Sequence, residues 1–282
     1  VTWREWLLAR PASDPMRAEV LARVAETLHG LGRFGEAVDA WRHLLKAYPN
    51  SPHAARATIA AARSMRADGR TDDAVALLDE VIQGRGGIDP ESPVFVEALI
   101  ERGRLASSLG DSVTARCRLD EARRRDPGHP ASLEVTLLLA DAWRGEALSF
   151  EEISRGPAAP SDAAHALRQA QLAWRESSDL FAPPPARVDL EELTTQDEWS
   201  RDRGAFARLG LAASLEALGD VQRAILAYEE TDRRHAGSEA ALVALARLMV
   251  VGEGEIEALR RRALRRIEIL NSEPRLMTRA EW

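Results

Sequence analysis

Cysteine is nearly absent. Cys117 stands alone in 282 residues, which excludes an internal disulfide and leaves thiol content silent on the compartment. Lysine is equally scarce: of the 38 basic residues only Lys46 is not an arginine, a sign of arginine-biased coding that weakens inference from any single arginine. No apolar run approaches the roughly 20 residues of a bilayer-crossing helix, and the mean hydropathy of -0.29 agrees. An excess of positive charge is missing too. The formal charge is -7 and the pI about 5.5, against the clustered cations that general nucleic-acid affinity requires.

Catalytic signatures are also lacking. The chain has no H-E-x-x-H pair, no G-x-S-x-G nucleophile turn and no G-x-x-x-x-G-K-[ST] phosphate loop. His29, His43, His53, His129, His165 and His235 are scattered, without metal-ligand spacing. Gly84-Arg85-Gly86-Gly87 offers neither the lysine nor the strand of a phosphate cradle and reads as a linker. Arg116 and Arg118 flank Cys117, yet alternate residues of a helix point apart, so an ordinary helix position is expected. The expectation is a non-enzymatic chain with no catalytic, cofactor-binding or metal residues.

What is present is an ordinary balance of 45% hydrophobic and 29% charged residues, enough chain for a sizeable core or for an array. The organising stretch runs from Leu31 to Pro49. Gly32 suits the left-handed residue that closes a helix, Ala37 is small where two helices would cross, and Trp41 with Leu44 carries an apolar stripe to Pro49. Leu21, Val24, Ala25 and Leu28 supply the helix before it. The same frame returns at Thr58, Ala61, Ala62, Met65, Gly69, Ala74, Leu78 and Val81, then at Leu99, Gly103, Ala106, Gly110, Ala115, Leu119 and Ala122. Leu211, Ala212, Leu215, Gly219, Ala224 and Tyr228 repeat it once more. Glycine and alanine stay five residues apart at 32/37, 69/74, 110/115 and 219/224. Leu133, Leu137 and Ala140 open a further first helix, Glu239 to Val251 another, and Ile256, Leu259, Ala263, Ile267 and Leu270 make a closing amphipathic helix. The arginines of that helix, Arg260 to Arg262 with Arg265 and Arg266, are expected on its solvated face.

This frame resembles the tetratricopeptide repeat. The resemblance implies an all-α fold, a right-handed α-α superhelix of about five to six helical hairpins with an enlarged fourth repeat. Four parts follow: a capping helix over 1–15, repeats over 16–144, an insert over 145–202 with a long helix over 161–181 and a proline-rich linker, and repeats with a C-terminal cap over 203–282. The insert holds 5 arginines against 12 acids and is therefore the acidic part of the chain. Because the chain opens on Val1, an upstream start codon or targeting segment is expected.

The resemblance also implies function: a scaffold that binds a peptide or protein segment in the groove lined by first helices. Projecting the helix around 54–67 turns Thr58, Ala61, Ala62 and Met65 toward the partner helix and leaves Arg56, Ile59, Arg63 and Arg66 as a groove stripe, extended by Arg104. Like charges three residues apart repel on a bare helix, so an acidic partner is expected, either an external peptide or the insert around Asp189, Glu191, Glu192, Asp197 and Glu198. The family's clamp for a terminal carboxylate is not reproduced, since its positions hold Ala22, Glu26, Ala60, Glu97 and Glu101. The junctions Tyr48-Pro49-Asn50-Ser51-Pro52-His53-Ala54 and His235 to Ala241 resemble those of bacterial envelope tetratricopeptide proteins of the outer-membrane assembly lipoprotein and Tol–Pal coordinator type, which implies a periplasmic or envelope location. A dimerising accessory subunit in the cytoplasm is the alternative.

Overall fold

The structure is a computed structural model that describes residues 16–85, 87–156, 198–252 and 256–272, together with 165, 166, 168, 169, 172, 175 and 176. The capping helix expected over 1–15 and the proline-rich linker lie outside the described residues, as does most of 161–181, of which the described positions are helical. Every regular element among the described residues is an α-helix: α1 Met16–Gly30, α2 Phe34–Ala47, α3 Ala54–Ala67, α4 Thr71–Ile82, α5 Pro93–Ser108, α6 Ser112–Arg125, α7 Ser132–Arg155, α8 Glu198–Ala217, α9 Val221–Arg234, α10 Glu239–Val251 and α11 Ile256–Ser272.

In four of the hairpins the helices pair because glycine ends the first helix abruptly. Gly32, Gly69, Gly110 and Gly219 have φ of 73°, 78°, 73° and 80°, a region that costs an L-residue about 1–2 kcal/mol. The next amide in each case donates back to the carbonyl five residues earlier: Arg33 to Leu28, Arg70 to Met65, Asp111 to Ala106 and Asp220 to Leu215. This closure returns the chain antiparallel within two or three residues. The second helix then starts in one of two ways. Asp111 and Asp220 accept from the amides of Thr114 and Arg223 as side-chain caps, whereas Arg33 and Arg70 cap nothing and pair with Glu36 and Asp73 one turn on.

Ala37, Ala74, Ala115 and Ala224 are fully buried where the hairpin helices cross. At Gly103 the crossing of α5 with α6 is closer still, since an added Cβ would lie 2.5 Å from Leu119 Cγ. The chain divides into two compact units, Val1–Val135 and Thr136–Trp282, with the boundary inside α7. In the first, α1 to α6 pack each against the next, and α3 also against α1 and α5. In the second, α8 to α11 do the same, with α8 against α10. Ala212, Leu215, Ala224, Tyr228, Ala244, Leu245 and Leu248 form the core of the second unit, onto which Leu259 and Ala263 of α11 pack.

The helix α7 runs on through 144/145, where the sequence places a boundary, to Arg155. Gly145 costs a helix interior about 1 kcal/mol, and the Arg144–Asp141 and Arg155–Glu151 pairs on either side support continuation.

Candidate protein-binding site

The first helices of neighbouring hairpins meet along one face, and the expected stripe lies there in the first unit. Arg56 and Arg66 on α3 are exposed and have no partner among the described residues. Ile59 is buried, at 1% exposure, so it packs under the stripe instead of lining it, on a helix that packs against α1, α2, α4 and α5. Arg63 donates from Nε to Glu101 Oε1 at 2.6 Å and from Nη2 to Glu97 Oε2 at 3.3 Å. Arg104 grips Glu134 in a fork, Nε at 2.9 Å and Nη2 at 2.6 Å, and donates from Nη1 to Glu101 at 2.5 Å. Burial works against the Arg104 charge, but the Glu134 hydrogen bonds and the Glu101 and Glu134 charges outweigh it and raise its pKa. Two of the four expected arginines are thus committed within the unit, and the acid they face comes from α5 and α7. Sequence reasoning read Glu97 and Glu101 as positions without clamp chemistry and did not pair them. The available signal was an arginine and a glutamate 34 and 38 residues apart, about one repeat.

Between α1 and α3, His29 Nδ1 lies 2.9 Å from Ser64 Oγ. The Ser64 hydroxyl already donates to the Ala60 carbonyl, so His29 is the donor. Its ring also meets Phe34 edge-on, with centroids 5.1 Å apart.

The second unit presents different chemistry on its first-helix face. Glu216 of α8 accepts from Tyr228 Oη at 2.7 Å and from Arg247 of α10 through Nε, at 3.1 Å, and Nη2. Burial alone would raise the Glu216 pKa, but those hydrogen bonds and the Arg247 charge lower it, while burial and Glu216 push the Tyr228 phenol up. This bridge sets the Glu216 side of α8 beside the Arg247 side of α10. On α8, Ala213, one turn before Glu216, is half-buried, and on α10 Val243, Ala246 and Val250 are exposed.

The charge of this unit is buried on the opposite layer. Asp232 of α9, 1% exposed, accepts from Arg262 and, at 3.1 Å, from Arg266 Nε of α11. Arg262 and Arg266 therefore dock the closing helix; Arg266 is half-buried, which corrects the expectation that all five of its arginines face solvent, while Arg260, Arg261, Arg262 and Arg265 are exposed. His235, at the end of α9, is buried with Nε2 unpartnered, and burial with the Arg208 and Arg234 charges depresses its pKa to about 4.

Among the described residues no three His, Cys, Asp or Glu side chains converge on a metal position, and no helix is long and apolar enough to cross a membrane. Cys117 is exposed.

Hairpins closed by left-handed glycine and stacked first helix on first helix define a helical-repeat protein. Residues 25–93 match a tetratricopeptide-repeat family model and residues 194–275 match a second one. The chain carries tetratricopeptide repeats in both units, and its fold class is the all-α superhelix those repeats build. Among solved structures it is similar to the nearly identical TPR-like repeats of a candidate kinesin light chain from Podosopora anserina, at 17% identity over 79% of this chain and 97% of that chain, TM-score 0.52. A single-residue variant of that protein is similar at 18% identity over 79% and 96%, TM-score 0.51. At such identities the likeness is one of fold. No curated protein matches the sequence.

Proposed function

We propose that the chain is a non-enzymatic interaction scaffold that binds a peptide or protein segment along its first-helix faces, in a bacterial envelope-associated assembly. Tetratricopeptide proteins are generally protein-binding scaffolds, and the observation that carries the reading here is the pair of exposed cations Arg56 and Arg66, without partners among the described residues, on the first-helix face of the first unit. Arg63 and Arg104 hold that face in shape through Glu97, Glu101 and Glu134. An acidic segment is the complement of the two remaining charges, either an external peptide or a sequence like the chain's own acidic stretch over 145–202. The envelope location is supported by the form of the Tyr48–Ala54 junction.

The test is titration of labelled acidic peptides, including one copied from 186–202, against the parent chain and an Arg56→Glu, Arg66→Glu variant. Binding should weaken about tenfold or more in the variant, and parent affinity should fall as salt rises, because exposed charges attract through a screening length of about 10 Å at 0.1 M. Equal binding by parent and variant would remove the acidic-partner reading. Fractionation of cells expressing the full-length protein tests the location.

A further inference from the structure

We infer that the first-helix face of the second unit is a separate docking strip for the apolar side of an amphipathic helix. The inference rests on the reading that first-helix faces are where this scaffold binds, and it names a partner chemistry that differs from that of the first unit. Val243, Ala246 and Val250 follow one another at i, i+3 and i+7 on α10, so they share one side of the helix. Val243 is 45% and Val250 71% exposed, although aliphatic surface of this kind gains by being covered. Ala213 of α8 stands one turn before Glu216, which the bridge to Arg247 joins to α10.

Two features choose the occupant. First, the charges on the strip cancel: Arg247 and Glu216 satisfy each other, and Tyr228 takes a further lone pair of Glu216. A charged segment laid over Val243 and Val250 would lose its water and gain no opposite charge. Second, Val243, Ala246, Val250 and Ala213 offer no amide or hydroxyl side chain to an extended backbone. A peptide in strand conformation would leave its N–H and C=O groups unpaired against the valines, whereas a helix arrives with its backbone bonds already made. The complement is therefore a helix with aliphatic residues at i, i+3 or i+4, and i+7, seated as one ridge beside another.

The experiment uses the full chain and a neutral synthetic helix with leucines at those positions, against a scrambled peptide of the same composition, followed by fluorescence anisotropy at low and high salt. Expected are binding of the patterned peptide, at least about tenfold weaker binding of the scrambled one, and a similar loss in Val250→Asp and in Val243→Asp. Both valines are exposed, so these variants should melt with the parent, and circular dichroism checks this. The Arg56→Glu, Arg66→Glu variant should bind the patterned peptide as the parent does, and salt should not weaken it. Unchanged binding by Val250→Asp, or affinity that falls steeply with salt, overturns the inference. So does a parent dimer that Val250→Asp converts to monomer, since the occupant would then be a second copy. Failure of the patterned peptide alone overturns the strip, while failure of both patterned and acidic peptides overturns the scaffold reading itself.

Discussion

The first unit buries a carboxylate between first helices, and the second buries one between second helices. Glu101 sits among Arg63 and Arg104 on α3 and α5, whereas Asp232 sits under Arg262 and Arg266 across α9 and α11. Both units use the same glycine and alanine frame to cross their helices, so the frame does not dictate which layer carries the charge. Where the network lies decides what the other layer can present. In the first unit the first-helix face is a ladder of arginine and glutamate with two cations to spare. On α8 and α10 of the second it is the Glu216–Arg247 pair among aliphatic side chains. A buried ion pair is weak evidence for net stability, since desolvation offsets much of the attraction, but it penalises any register that separates the partners.

The largest expected effect comes from removing either carboxylate. Glu101→Ala and Asp232→Ala should each destabilise by about 3 kcal/mol, the low end for a broken buried pair because the arginines keep some access to water. Hydrogen exchange should place the lost protection in α3 and α5 for the first variant and in α9 and α11 for the second, since repeats answer chiefly to their neighbours. Full protection in both variants would mean that neither network locks its layer.

Overpacking comes next. Ala115→Leu and Ala224→Leu should each cost about 2 kcal/mol in urea unfolding, and equal melting of mutants and parent would discard the crossing frame. The comparison sharpens at the neighbouring position on the first helix. Gly103→Ala should still destabilise by about 1 kcal/mol although alanine is the better helix former, because its Cβ meets the buried Leu119. Ala212, already at the equivalent place in the second unit, should tolerate only the reverse change poorly.

An effect of similar size to that of Gly103→Ala is a pH dependence that His235 gives the second unit. His235 has its folded pKa pushed down to about 4 from 6.5, so the unfolded chain takes up the proton first. Stability from this group is complete above pH 6.5, declines as pH falls toward 4, and changes no further below that. A loss of about 1–2 kcal/mol by pH 5 is expected, absent in His235→Gln. Arg208 and Arg234 add to the depression and Glu230 opposes it, so Arg208→Gln should raise the lower edge of the window. An unchanged pH profile in His235→Gln would show that the imidazole is not buried in solution.

Much of this was legible in advance, and the omissions have a common cause. A left-handed glycine followed five residues later by alanine is a local requirement: only glycine takes φ near 75° cheaply, and only a small residue fits where the paired helix crosses. Those demands fall within one hairpin, so four hairpins could be placed from the chain. The stripe on α3 was legible as a stripe but not as a surface. Helical periodicity groups Arg56, Ile59, Arg63 and Arg66, yet whether such a side faces water depends on the hairpins before and after it. Ile59 is buried, and the next hairpin brings Glu97 and Glu101 to Arg63. The same holds for α11, whose arginines look alike in sequence until Asp232 takes two of them, and for the apolar segment Glu239 to Val251, of which Val243 and Val250 stand exposed.

The repeat, the turn chemistry, the crossing residues and the all-helical class all follow from the order of residues, because each rests on contacts closed within one hairpin and on backbone conformations that few residues can adopt. Stacking settled the rest: which arginines are spoken for, which layer of each unit buries its carboxylate, and which aliphatic side chains are left at the surface. Those outcomes depend on side chains about one repeat apart, brought together only when one hairpin packs upon the next.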